Sequence, residues 1–157
     1  MGRWNKIILG FMLPLYFILL SGFKCDQKLK TDLPVVPLKI GNQQILVEVA
    51  NKPATREAGL MFRKEMDQDV GMLFVFSDYQ QRAFWMKNTV IPLSIAFADE
   101  KGIILNILEM PPETEENFYS KGLAKFALEM NAAWFAKHGI KEGDLIEGAL
   151  TAPKGDE

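Results

Sequence analysis

The chain of 157 residues fits one ordinary domain plus an appendage, and with 48% apolar and 24% charged residues it can fill a core and is not disordered by composition. The formal net charge is −2, with both signs interspersed and no basic run beside the aromatics. That pattern argues against phosphate-backbone binding, so no nucleic-acid partner is expected. A single cysteine excludes an internal disulfide.

Taken in chain order, the first element is an address. Arg3 and Lys6 precede a run from Ile7 to Phe23 that carries no charge, the form of an export signal. The run is shorter than the roughly 20 residues that span a bilayer, and Pro14 interrupts it, which disfavours an uncleaved anchor. Cys25 lies just beyond. The tract ILLSGFKC resembles the lipobox of bacterial lipoproteins, where the thiol is acylated and becomes the first mature residue. Phe23 and Lys24 depart from the small residues that a lipobox prefers. Lipidation at Cys25, a cleaved secreted form and an uncleaved anchor all remain open. Each places the protein outside the cytoplasm, in the envelope or beyond, and the first and third hold it on a membrane.

The expected organisation is a signal or anchor segment over 1–24, a polar tether over 25–34, a folded domain over 35–150 and a frayed tail over 151–157. Within the domain, short apolar runs alternate with turn residues, the mark of a mainly β fold with short helices. VVPLKI and QILVEVA flank Gly41-Asn42 and predict a hairpin, with Ile45, Val47 and Val49 on one face and Glu48 pointing away. PATREAGLMFRKEM changes to helical spacing, with Thr55 available as an N-cap, and Gly59 limits it to one short helix. GMLFVF is apolar on both faces and predicts a central strand.

LSIAFADEKGIILNILEM predicts a second hairpin turning at residues 99–102, with Leu93, Ile95 and Phe97 on a large face and Ser94, Ala96 and Ala98 on a small one. PPETEENFYSKG predicts a loop long enough to act as a lid. FALEMNAAWFAKHGI reads as a strand into a short helix ending at Gly139, or as one continuous helix, and GDLIEGAL as the closing strand.

Several strings then occur in one order: GLMFR, GMLFVF, FWMKNTVIPL, DEKG, FALEMNAAW and HGIKEGD. Together they resemble the prokaryotic family catalogued as domain of unknown function 192 (DUF192), over about residues 40 to 150. Ser94 departs from the pattern, where the family often carries an aspartate. The resemblance implies a compact β-barrel or jelly-roll-like sandwich decorated by short helices, and it brings no established activity.

Candidate chemistry centres on FWMKNTVIPL. As a strand it places Phe84, Met86 and Asn88 on one side and Trp85, Lys87 and Thr89 on the other, so neither side is purely apolar or purely wet. Trp85 offers an aromatic face, Lys87 a cation and Asn88 an amide that donates and accepts. Arg56 and Arg63 flank Met61, and if that segment caps a barrel mouth they join Lys87 in a small electropositive pocket for an anionic or polar ligand. Glu129 is the expected internal counter-ion. The bland reading makes Phe84 and Met86 core residues and Asn88-Thr89 a turn.

Methionines fill gaps in cores, His138 sits at a helix end, and Asp99 and Asp144 lie in turns that favour aspartate. No metal, cofactor or catalytic residue is assigned. The chain is read as a small-ligand-binding or accessory module, with a carboxylate-dependent enzyme on envelope saccharides and a protein-interaction module as the competing classes. Nothing in the sequence sets the oligomeric state.

Overall fold

The computed structural model describes residues 32–157. The signal or anchor segment, Cys25 and most of the tether lie outside the described residues. Seven strands, β1 (Val35–Ile40), β2 (Gln43–Ala50), β3 (Val70–Phe84), β4 (Leu93–Ala98), β5 (Ile104–Met110), β6 (Phe118–Asn131) and β7 (Ile146–Glu147), form one sheet in the order β5-β4-β6-β3-β2-β1-β7. The pairings are antiparallel except β2 with β3, which are parallel and are joined through the short helix α1 (Pro53–Ala58). The sheet curls until its ends meet at one corner. There Ile103 bridges Leu145, and the Ile104 N–H donates to the Asp144 carbonyl at 2.9 Å. The result is a mainly β half-barrel with only short helices.

Alternating side chains give this sheet an apolar core on each face. Leu73, Val75, Val47 and Leu128 lie in one core, closed over by Trp134 and Phe135 of helix α2 (Trp134–Lys137) and by Ile140. Phe74, Ile95, Phe97 and Ala127 lie in the other, covered by Leu60, Met86 and Ile91. Each such Leu, Ile or Phe contributes roughly 1.5–3 kcal/mol on burial. The small face of β4 sets Ala96 and Ala98 fully inside. Gly71 permits the close approach of β3 to β6, because a Cβ there would strike the Glu129 carbonyl and the Met130 sulfur.

Several expectations are revised. Helix α1 starts from Lys52, and Thr55 sits inside its first turn, accepting the Lys52 N–H at 3.0 Å and donating to the Lys52 carbonyl at 2.9 Å. Glu48 is 1% exposed, because the face it points to is covered as well. The long loop shrinks to residues 111–117, since β6 extends back to Phe118 through register shifts that keep it paired with β3. The closing strand is only two residues, Ile146–Glu147, ended by Gly148 at φ 96° and followed by a 3₁₀ turn over Ala149–Thr151. Residues 151–157, expected to fray, are docked. Ala152 is buried, the Asp156 N–H donates to the Asn51 carbonyl at 2.7 Å, and Asn51 Nδ2 donates to the Lys154 carbonyl at 2.9 Å.

Candidate functional site

Strand β6 carries Glu129 between Met72 of β3 and Ile95 of β4, on the central ladder of the sheet. The residue is 5% exposed, and no described group hydrogen-bonds to its carboxyl. Burial pushes its pKa up to about 8, because the charged form has lost water and gained no compensating charge. At neutral pH it is chiefly a protonated acid. It opens on a cleft of about 40 Å³ whose walls include Met61, Phe84, Trp85 and Thr89.

Those walls come from two loops locked to each other. The strand ends at Phe84, so residues 85–92 do not continue the alternation of β3. Met86 is fully buried and Trp85 faces outward, 46% exposed. Asn88 takes a left-handed φ of 57°, and its carbonyl accepts the Phe62 N–H at 2.8 Å. Phe62 is also left-handed, at φ 63°, and exposed. Thr89 is buried, with its hydroxyl 3.5 Å from the Lys87 carbonyl, the outer limit for a hydrogen bond. The Lys87 ammonium lies 5.2 Å from the Trp85 ring centroid.

The expected electropositive pocket is not assembled. Arg56 reaches the cleft wall, but its guanidinium donates to three carbonyls, Asn51 at 2.7 Å, Val75 at 3.1 Å and Asp156 at 2.9 Å. It also lies over Phe76, as Arg82 does at 3.8 Å. Burial and then the neighbouring Arg82 hold its pKa below the usual guanidinium value. Arg63 forms an ion pair with the buried Glu48. Glu129, expected to be the counter-ion, pairs with neither. The cleft therefore gathers Arg56, Met61, Trp85 and Glu129, leaves Lys87 and Asn88 on its rim, and gives Arg63 to another carboxylate. Thr89 and Phe84 also stand in the walls. The alternation of a strand had assigned them to opposite faces, and the loop that ends the strand is what brings both to the cleft.

Carboxylates elsewhere in the domain hold the fold. Asp99 accepts the Lys101 and Ile103 N–H groups at 2.8 and 2.9 Å, and Asp144 accepts the Lys141 N–H at 2.8 Å. Glu109 accepts the Ser94 hydroxyl on both oxygens at 2.8 Å and the Ala133 N–H at 2.9 Å. Among the described residues no group of three His, Cys, Asp or Glu is placed to hold a metal ion. No described helix is long and apolar enough to cross a membrane. A larger groove of about 390 Å³ lies between β3, β6 and the C-terminal residues. Its Lys125 ammonium is already held by the Ser77 carbonyl at 2.6 Å, so the smaller cleft has the stronger chemistry.

Two of the solved structures that share this fold are informative. One is a Sinorhizobium meliloti protein provisionally described as a transcription regulator, 31% identical, with a TM-score of 0.73 over 75% of this chain and 96% of that one. The other is a protein of unknown function from Novosphingobium aromaticivorans, 33% identical, with a TM-score of 0.69 over 73% of this chain and 86% of that one. No curated protein matches the sequence. Residues 36–148, well over half of the chain, match the model of the family described as "Uncharacterized ACR". The curled sheet, the order of its motifs and these likenesses agree, and the chain belongs to the DUF192 family.

Proposed function

We propose that this protein is an exported accessory module of the cell envelope, held on the membrane by its N-terminal segment or a lipidated Cys25, that binds a small ligand in the Glu129 cleft. One observation carries the reading: a carboxyl 5% exposed, with no described hydrogen-bond partner, opening on a cleft beside Trp85 and Thr89. Taking a polar group largely out of water without giving it a partner costs up to about 1–3 kcal/mol, and a ligand that satisfies it recovers part of that cost as affinity. Such a site, with an apolar wall and few polar groups, is the usual form of a small-molecule pocket. The enzyme alternative needs a second carboxylate poised across the cleft. Glu57 is the other carboxylate along its walls, and it stands exposed on α1.

Native mass spectrometry of the protein purified from its own envelope tests both halves of the proposal. The expected spectrum carries an acyl mass on Cys25 or an intact N-terminal segment, together with a small adduct that the Glu129→Gln protein lacks. A bare, soluble, cleaved chain with no adduct would overturn it.

A further inference from the structure

We infer that the group received by the Glu129 cleft is the head of a small organic ammonium ion, an inference that rests on the ligand-binding reading above. Four observations converge on a cation. The floor of the cleft is a carboxyl with no described partner, on a strand where its flanking neighbours, Met72 and Ile95, supply neither charge nor hydrogen bond. The mouth presents the Trp85 ring, and the protein already sets an ammonium against that ring, the Lys87 group at 5.2 Å.

The rim is acidic. Glu57 lines the cleft, and the 111–117 loop is fastened to the cleft loop by the Met86 N–H to the Thr114 carbonyl at 2.8 Å and the Glu113 N–H to the Thr89 carbonyl at 3.0 Å. This brings Glu113, Glu115 and Glu116, all exposed, to the same end of the molecule. Of the cations nearby, Arg56 is held by three carbonyls, Arg63 by Glu48, and Lys87 lies against the Trp85 ring. An anionic ligand would meet an acidic rim and find no uncommitted guanidinium. About 40 Å³ admits a head of a few heavy atoms, with any aliphatic remainder left along Trp85.

Charge linkage makes the inference sharp. The charged groups along the cleft wall are Arg56 and Glu57, both from α1, while Lys87 is directed over Trp85. Unliganded Glu129 holds its proton up to about pH 8, whereas an ion pair with an ammonium requires the carboxylate. Affinity for the cation must therefore rise with pH, by up to about tenfold per unit below 8, and level off above it. A neutral or anionic acceptor would use the protonated acid as a donor and show the opposite slope.

The test titrates the protein with n-butylammonium, n-butanol and butyrate, three probes of similar size and different charge, and follows the Trp85 indole and Thr89 amide resonances from pH 6 to 9, the latter alone in the Trp85→Ala protein. The expected result is binding of n-butylammonium alone, tightening with pH by up to about tenfold per unit between pH 6 and 8 and less steeply as 8 is approached. Lys87→Met should tighten it by removing the resident ammonium. Glu129→Gln should weaken it at least tenfold and flatten the pH dependence, and Trp85→Ala, an exposed position, should weaken it without touching the core. Butanol or butyrate binding as tightly as the amine would overturn the cation inference and leave the ligand-binding reading standing. If none of the three moves either resonance, both fail.

Discussion

The Phe62 N–H donates to the Asn88 carbonyl at 2.8 Å, and both residues hold left-handed backbones, at φ 63° and 57°. One bond thus fastens the loop after α1 to the loop after β3, and the cleft walls depend on it. Asparagine tolerates this conformation and a β-branched residue does not. Asn88→Val should cost about 1–2 kcal/mol in denaturant unfolding, whereas Asn88→Gly should be close to neutral. An equal loss in both variants would mean that the side chain, and not the backbone angle, is what matters.

Glu129 makes the domain's stability depend on pH. Its folded pKa of about 8 lies above the ordinary 4.5, so the unfolded chain releases the proton first. The favourable contribution is complete below pH 4.5 and declines as pH rises, until the folded carboxyl also ionises near 8. Within that window the slope approaches about 1.4 kcal/mol per pH unit. Thermal unfolding of the Glu129→Gln protein between pH 5 and 8 should lose this component and stand above the parent at pH 8. A parent and variant that track each other throughout would rule out a protonated Glu129.

The Glu48–Arg63 pair behaves differently, because its carboxylate is 2% exposed and its guanidinium 32%. Arg63→Met removes the compensation and leaves a buried acid, which should cost about 3 kcal/mol, moderated by the solvent that reaches Arg63. The Glu48→Gln, Arg63→Met double variant should recover much of that loss, since neither charge then remains to be compensated. Additive losses in the double-mutant cycle would show that the two residues do not interact.

Close approach at Gly71 yields a further expectation. A methyl group there meets the Glu129 carbonyl and Met130 sulfur, and a strand pinned on both sides cannot move away. Gly71→Ala should destabilise by about 1–3 kcal/mol and loosen amide protection along β6, as read by hydrogen exchange. Unchanged protection at Leu128 and Glu129 would show that β6 adjusts.

Much of this architecture was legible from period-two patterning. The hairpins β1–β2 and β4–β5, the two apolar faces of β3 and the passage from β6 into α2 all lie where alternation and turn residues put them. Alternation says which side of a strand a residue takes, but not whether that side is covered. Glu48 therefore read as outward, although the loop carrying Arg63 closes over it. The same blindness assigned Glu129 a cation. Choice of ionic partner is decided by which loop arrives in three dimensions, and sequence spacing does not report it. At the candidate site, the exposure of Trp85 and Lys87 was readable from their mixed neighbours. Thr89 was not, because its burial follows from the turn at Asn88.

The docked C-terminal residues have a practical consequence for anyone expressing this domain. Family recognition stops at residue 148, yet Arg56 finds one of its three acceptors at Asp156, and Gly155 lies against the backbone of β3 with no space for a side chain. A chain trimmed to the recognised boundary would strip an acceptor from a half-buried guanidinium and uncover the edge of β3 beside it. The packed unit is longer than the unit by which kinship is detected, and truncations should be planned from the former.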